Sequence, residues 1–190
     1  MSEIIAKMHG PFGLIGENNL FQSEESFFPG IYFFTFEINN KILIEYIGIT
    51  TRNFNKRFSE HIKELWSGGY QIYDFEKLEN HQDFVIWKGR YGKDVDDISL
   101  FSDEKSTFSR SISKQIEKFK IYLIPLDRDK RILERIEGKL YEILRGKNNK
   151  IISTFIKGVK SNPRYSNEKL LDFEILNNSL LQEIPSKFTI

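Results

Sequence analysis

Two glycine-flanked tyrosines stand close together in the first third of the chain, in Gly30-Ile31-Tyr32 and Tyr46-Ile47-Gly48. Arg57 and His61 follow, four positions apart and therefore on one flank of a helix. A guanidinium stays charged at neutral pH and can hold two phosphate oxygens at once. Phenols and an imidazole can move protons. These residue types together suit the hydrolysis of a phosphodiester bond.

The tyrosines lie in segments that predict an antiparallel hairpin. Ile31 to Ile38 and Ile42 to Thr50 are rich in β-branched and aromatic residues, and Asn39-Asn40-Lys41 separates them. A two-residue turn would send the two phenols to opposite faces of the sheet. A three-residue loop brings both phenols to one face, with Tyr32 opposite Gly48. We therefore predict the three-residue loop.

Two amphipathic helices are predicted beyond the hairpin. The first begins after the capping segment 50–53, and its apolar stripe is Phe54, Phe58, Ile62 and Leu65. The second lies within Asp127 to Leu144, and its apolar stripe is Leu133, Ile136, Leu140, Tyr141 and Leu144. Glu137 falls inside the second stripe, whereas Glu134 and Glu142 do not. A carboxylate on a buried face must be paired, protonated or bound to metal, so Glu137 is the acid expected to do chemistry.

In this order the residues resemble the GIY-YIG nuclease family, in particular its stand-alone, restriction-endonuclease-like members. The resemblance rests on the paired tripeptides, on the arginine and histidine in Asn53 to His61, and on the glutamate in Ile136 to Leu140. These motifs span Gly30 to about Asn149. Each tripeptide alone is weak, but the ordered set is specific.

The resemblance implies an α+β fold, a small three-stranded antiparallel sheet flanked by helices, with N-terminal, internal and C-terminal elaborations. Phe119 to Ile124, ended by Pro125, independently predicts the third strand. We expect a single domain over residues 1–190. Its parts would be an N-terminal extension (1–29), the hairpin plus arginine helix (30–66), an insertion (67–117), the third strand and glutamate helix (118–149), and a C-terminal extension (150–190).

The resemblance also implies a metal-dependent endonuclease that hydrolyses DNA with one Mg²⁺ or Mn²⁺ per active site. Tyr32 would be the base or relay for the attacking water, and Tyr46 would support it. Arg57 would hold the scissile phosphate, His61 would assist through hydrogen bonds, and Glu137 would ligate the metal. Gly30 and Gly48 belong to the structural motif. For the asparagine that the family often carries after the metal helix, Asn149 lies at the commoner separation and is the expected residue, with Asn162 and Asn167 as alternatives.

A tyrosine base faces an energetic obstacle. An unperturbed tyrosine has a pKa of about 10, so only about one in a thousand is ionised at neutral pH, a penalty of roughly 4 kcal/mol. A nearby guanidinium, a metal ion, or Lys41 or Lys56 would favour phenolate, or would let the phenol pass a proton on.

The formal net charge is only +1, so affinity for nucleic acid must come from an uneven distribution of charge. Residues 74–104 are acid-rich, whereas basic residues cluster at 105–120 and 157–169. Alternatively, each basic cluster is a solvated surface that does not contact DNA. The candidate contacts to the DNA backbone are Arg52, Lys56, Arg110, Lys114, Lys118 and Arg164.

The composition fits a cytoplasmic protein. The chain has no Cys, which excludes disulfides, thiolate zinc sites and cysteine nucleophiles. We expect no signal peptide, no membrane span and no interaction with a membrane. Segments 69–75 and 83–89 predict another strand pair, followed by a Ser-rich loop. The apolar C-terminal tail would either pack on its own core or form a dimer interface.

Three functions remain open at this point. A chain without a separate targeting module is most similar to restriction-type or other defence nucleases. A structure-specific DNA repair nuclease is the second possibility, and a nucleic-acid-binding module that does not cut is the third. One active site of this kind cuts one strand per event, so a homodimer on DNA would be the simplest route to a double-strand break.

Overall fold

The computed structural model describes residues 2–80, 84–90, 98–145 and 163–190. Its strands are β1 (Ser2–Lys7), β2 (His9–Phe12), β3 (Gly30–Ile38), β4 (Lys41–Thr50), β5 (Ile72–Tyr73), β6 (Val85–Trp87), β7 (Phe119–Pro125), β8 (Leu171–Leu176) and β9 (Lys187–Thr189). Its α-helices are α1 (Phe54–Trp66), α2 (Phe75–Glu79), α3 (Ile98–Asp103), α4 (Lys105–Lys118) and α5 (Lys130–Arg145). Short 3-10 helices occupy Leu20–Gln22, Glu24–Phe27 and Asn178–Leu180. None of the helices in these ranges is long and apolar enough to cross a bilayer.

The chain forms two compact units. The first comprises Met1–Asn55 and Lys120–Ile190, and the second comprises Lys56–Phe119. The expected organisation as a single domain is not tested by this division and stays a prediction.

The first unit contains a four-stranded sheet in the order β2-β7-β3-β4. The amide of Leu126 donates to the carbonyl of Pro29 (2.9 Å), and the hydroxyl of Thr35 donates to the carbonyl of Lys120 (2.8 Å). These two bonds mean that β3 and β7 run in opposite directions. The α+β class and the third strand are confirmed. The fourth strand, β2, comes from the N-terminal extension and was not predicted, because its sequence His-Gly-Pro-Phe has little strand propensity.

The three-residue hairpin loop was a wrong prediction. Ile38 pairs with Lys41, and Asn39 and Asn40 form a two-residue turn with φ angles of 50° and 60°. Asparagine tolerates this left-handed conformation, and two such residues in succession build a turn whose twist matches that of the strands.

The additional residue that aligns the tyrosines lies inside β4. Phe34 pairs with Tyr46, but the next residue, Thr35, pairs with Ile44, so Glu45 is the extra residue of β4 in this register. This bulge shifts the register by one residue and turns the side chains beyond it to the other face. Tyr32 consequently pairs with Gly48, as predicted.

The core of the first unit lies between the sheet, α5 and the smaller sheet β1-β8-β9. The predicted stripe of α5 is fully buried in it. β8 runs parallel to β1, and its Phe173 and Ile175 are buried in the same core. Leu170 and Leu176 remain exposed. The C-terminal tail therefore packs on its own core, and dimerisation stays a prediction.

A cluster of ionic contacts joins the segment after residue 162 to the first turns of α5. Arg131 donates to Glu168 through Nε (2.7 Å) and Nη2 (3.0 Å), and its guanidinium carbon lies 4.0 Å from the ring centroid of Tyr165. These hydrogen bonds from Arg131 lower the pKa of Glu168 to about 2. Arg135, which is buried, donates to the carbonyl of Lys169 (2.9 Å).

The second unit contains the strand pair β5-β6, antiparallel as predicted. The amide of Tyr73 donates to Oε1 of Gln115 (3.1 Å) on α4, and Nε1 of Trp87 donates to the carbonyl of Gly68 (2.8 Å). The predicted Ser-rich loop is wrong, because these residues form α3 and α4. Phe108, Ile112 and Ile116 recur at helical spacing and are buried, so tertiary packing overrides the weak helix propensity of the serines.

Candidate functional site

The ring of Tyr32 lies against the backbone of β4 at Gly48. Tyr32 has 0% of its surface exposed. A Cβ atom at position 48 would overlap Oη and Cζ of Tyr32 and would lie 2.7 Å from Cε1 of Tyr46. Only glycine allows this approach, so Gly48 determines how closely the Tyr32 hydroxyl meets the strand.

Both predicted phenols share one face of the hairpin. The ring centroids of Tyr32 and Tyr46 are 6.1 Å apart, with the planes inclined at 42°. Phe34 and Phe54 pack edge-on against Tyr32, with centroid distances of 6.0 and 6.3 Å. Tyr46 is only half-buried. Tyr46 is therefore the phenol that is accessible from solvent.

Gly30 begins β3 where the strand meets β7 and the start of α1. Its φ angle is 148°, a conformation that disfavours other residues. A Cβ there would overlap the carbonyl oxygen of Ile124 and would lie 2.8 Å from the amide nitrogen of Leu126. Gly30 is thus required by the packing of the backbone. This glycine places Tyr32 two residues into the strand.

Glu137 lies on α5, which packs against β3 and β4. It is half-buried rather than fully inside the apolar stripe. Burial raises the pKa of the neighbouring Tyr141 well above its ordinary value, and the charges of Tyr46, Glu137 and Tyr32 raise it further. All three groups are therefore close enough to Tyr141 to act on it electrostatically. The first unit thus contains Tyr32, Tyr46 and Glu137, each within electrostatic range of Tyr141.

Sequence reasoning missed the role of Tyr141, which it treated as an apolar core residue. The Tyr141 hydroxyl accepts a hydrogen bond from the amide of Ile47 (3.0 Å) and donates a short one to the carbonyl of the same residue. Ile47 is the middle residue of Tyr46-Ile47-Gly48. A phenol one turn after Glu137 on a buried stripe was the available signal, since a buried hydroxyl needs partners.

Arg57 and His61 belong to the second unit, on α1. Nη1 of Arg57 lies 3.5 Å from Oε2 of Glu60, and both side chains are partly exposed. His61 is 4% exposed, and its ring centroid lies 5.7 Å from that of Phe58 and 5.5 Å from that of Tyr70. Burial, followed by the charge of Arg57, lowers the pKa of His61 to about 3, although Glu60 opposes the shift. His61 is therefore neutral at physiological pH and can both donate and accept hydrogen bonds.

The candidate contacts to the DNA backbone differ in their surroundings. Arg52, Lys56 and Arg110 are exposed. Lys114 lies 3.5 Å from Glu76, and Lys118 lies 3.6 Å from Glu79, so acids of α2 offset both charges. Arg164 is also exposed, and its Nη1 donates to the carbonyls of Tyr165 and Glu168.

The asparagine candidates are placed as follows. Asn167 is exposed in the turn before β8. Asn149 and Asn162 lie outside the described residues.

The acidic side chains of the described residues suit a hydrated metal ion rather than an all-protein cage. Among these residues, no group of three His, Asp or Glu side chains could enclose a metal. Mg²⁺ usually keeps several waters and takes one or two carboxylates. The half-buried carboxylate of Glu137 on α5 fits that requirement.

The comparisons agree with the motifs. A family model described as the GIY-YIG catalytic domain matches residues 28–150, which include both tripeptides, α1 and α5. Neither the curated proteins nor the solved structures gave a match.

Gly48→Ala should destabilise the protein by about 1–3 kcal/mol, because its methyl group would force Tyr32 and Tyr46 out of their positions. Urea denaturation of the purified variant measures this. In a Tyr32→Leu background the ring is gone, and Gly48→Ala should then have a much smaller effect. An equal loss in both backgrounds would show that the overlap with Tyr32 is not the cause.

Acid should destabilise the protein through His61. Its pKa is about 3 in the folded protein, against an ordinary value of 6.5, so the unfolded chain binds a proton that the folded chain does not. Stability is full above pH 6.5 and falls as the pH drops towards 3. Between pH 7 and 5.5 wild type should lose about 1 kcal/mol more than His61→Gln, measured by urea denaturation. Parallel losses in the two proteins would contradict the assignment.

Proposed function

Because the chain belongs to the GIY-YIG catalytic domain family, we propose that it is a restriction-type or other defence endonuclease that cleaves DNA with a divalent cation. Its class of activity follows from the family: it is an endonuclease, a phosphodiester hydrolase acting on nucleic acid. One observation carries the finer proposal. Tyr32 and Tyr46 meet on one face of the hairpin beside Gly48, and Glu137 lies on α5, which packs against the same two strands.

The tyrosines would move the proton of the attacking water. As the water oxygen bonds to phosphorus, its proton leaves towards the phenols, the bond from phosphorus to the leaving oxygen breaks, and that oxygen gains a proton. Tyr32 has no exposed surface, whereas Tyr46 is half-buried. This difference favours Tyr32 as a relay, with Tyr46 nearer to the water. A relay also avoids the penalty of about 4 kcal/mol for a phenolate at neutral pH.

Glu137 would hold the cation, Mg²⁺ or Mn²⁺, one per active site. When bound, the ion supplies positive charge that stabilises the negative charge developing on the phosphate. The carboxylate itself must stay ionised and oriented for this role. Its position on α5 orients it, and its half-buried side chain is still reached by solvent.

Arg57 and His61 would act on the scissile phosphate. The ion pair of Arg57 with Glu60, at 3.5 Å between partly exposed side chains, is weak, so a phosphate could compete with Glu60 for the guanidinium. A guanidinium that holds two phosphate oxygens gains charge-assisted hydrogen bonds. His61 is neutral and would serve as a hydrogen-bond donor or acceptor rather than as a cation. This fits the assisting role predicted from the resemblance.

The second unit offers a surface suited to DNA. α4 exposes Ser106, Thr107, Arg110 and Ser113, whose hydroxyl and guanidinium groups can donate to phosphate oxygens. Arg110 makes no ion pair with any other described residue. Lys114 and Lys118 are partly neutralised by α2, so we assign the main contact on this helix to Arg110.

Glu137→Ala and Arg57→Ala should each reduce cleavage by about 10³-fold, because each removes charge that stabilises the transition state. The assay is cleavage of supercoiled plasmid with Mg²⁺ or Mn²⁺, with circular dichroism to confirm folding. Glu142→Ala and Lys63→Ala are the matched controls on α5 and α1, and both should retain full activity. Normal turnover in Glu137→Ala or Arg57→Ala would contradict the assigned roles.

The same plasmid assay distinguishes the possible biological roles. Discrete linear fragments indicate a sequence-specific nuclease, which supports the restriction-type proposal. A smear, or a preference for branched DNA, indicates a structure-specific repair nuclease instead. No cleavage by wild type indicates a binding module. Nicked circles at low protein concentration and linear DNA at high concentration would indicate that two copies pair on DNA.

Arg110→Ala should weaken binding to a short DNA duplex in EDTA and reduce the slope of log K against log salt by about 1, as expected for one lost phosphate contact. Lys77→Ala is the control, since Lys77 is an exposed lysine of α2 that lies 3.9 Å from Asp74. Fluorescence anisotropy at several salt concentrations measures both variants. Equal slopes for Arg110→Ala and wild type would remove this residue from the DNA contact.

A further inference from the structure

β4 is the last strand of its sheet, in the order β2-β7-β3-β4, so no strand of the described residues lies along its outer side. An edge strand leaves backbone N–H and C=O groups unpaired unless something else bonds them. At Ile47 both groups bond to the Tyr141 hydroxyl, the amide donating at 3.0 Å and the carbonyl accepting. The Tyr141 phenol thus satisfies the backbone N–H and C=O of Ile47, as a neighbouring strand would.

We propose that Tyr141 is a positioning residue of the nuclease site, whose hydroxyl holds the middle residue of Tyr46-Ile47-Gly48 so that its two neighbours keep their places against Tyr32. The inference rests on the proposed function of the site. Tyr141 does not touch the reacting atoms. It acts through the backbone of β4.

The position of Ile47 explains why such a hold affects the site. Its side chain is fully buried on the face that packs against α5, whereas Tyr46 and Gly48 turn to the opposite face. The space between the Gly48 backbone and the Tyr32 ring is too small for a methyl group. A small slide of β4 would therefore either collide with Tyr32 or open a gap there, and the bonds to Ile47 resist both movements.

The same hydroxyl also sets the distance between the strand and the metal ligand. Glu137 lies four residues before Tyr141, one turn earlier on α5, which is about 6 Å along the helix axis. Two hydrogen bonds to Ile47 keep this part of α5 in place relative to Tyr46. Apolar packing alone would allow sliding, because dispersion contacts have little directionality, whereas hydrogen bonds specify both distance and angle.

Tyr141→Phe tests the proposal, because it removes the hydroxyl and keeps the ring. We expect kcat to fall at least tenfold with little change in KM for plasmid DNA. Amide hydrogen exchange at Ile47 should accelerate together with that loss. Tyr122→Phe is the matched control, since Tyr122 is also a buried tyrosine of the same core but lies on β7. It should keep wild-type kcat.

Two results would overturn the proposal. The first is a folded Tyr141→Phe protein with wild-type kcat, even if its melting temperature is lower, since the hydroxyl would then be merely structural. The second comes from a variant with 4-aminophenylalanine at position 141, whose amino group restores a donor towards the Ile47 carbonyl. This variant also serves as the test where the Phe variant does not fold. Its kcat should lie between those of the Phe variant and wild type. Where the Phe variant does not fold, this kcat should lie below that of wild type. A kcat equal to that of wild type despite faster exchange at Ile47 contradicts positioning. Failure of wild type itself to cut DNA would instead refute the proposed function.

Discussion

The close approach of the Tyr32 ring to the backbone of Gly48 is the constraint on which the candidate site of the first unit depends. The ring occupies the volume that any side chain at position 48 would need, and the ring of Tyr46 borders the same space. Close packing of this kind transmits displacement, because interiors have few voids that could absorb it. Any contact that fixes the register of β4 and its distance from the Tyr32 ring therefore also fixes the relative position of the two phenols.

Three separate features determine the position of β4. The Asn39-Asn40 turn sets the starting register, the extra residue Glu45 shifts it by one, and Tyr141 holds the strand at Ile47. The site depends on the combination. With the same turn but without the bulge, Tyr32 would face Ile47, and Tyr46 would point to the α5 side of the sheet. The bulge is thus as much a part of the site as the tyrosines, although its residue does no chemistry.

The sequence predicted that the two tyrosines share a face better than it predicted the path of the chain that produces this arrangement. Period-two alternation and the requirement that both phenols share a face led correctly to Tyr32 opposite Gly48, but the extra residue was assigned to the loop. A glutamate in β4 carries no signature of a bulge, and the one local signal for the correct solution was the pair of successive asparagines, which favours a tight two-residue turn. Likewise helical periodicity predicted the buried stripe of α5, but the buried Arg135 and the hydrogen bonds of Tyr141 depend on tertiary neighbours. The serines of α4 suggested a loop for the same reason, since only the partners of Phe108 and Ile112 reveal the helix.

The helix that carries Glu137 is held near both ends by polar contacts of different kinds. Near its start, Arg131 holds Glu168 with two charge-assisted bonds, and towards its end Tyr141 bonds to Ile47 with a neutral hydroxyl. Only the first of these titrates in acid. The pKa of Glu168 is about 2 in the folded protein, so the stabilisation by this pair is complete above the ordinary glutamate pKa and fades as the pH falls towards 2. In mild acid the second unit is affected first, through His61, while the neutral contact of Tyr141 at Ile47 is unchanged. Loss of stability in that range would therefore report on the second unit before it reports on the ion pair of α5 with Glu168.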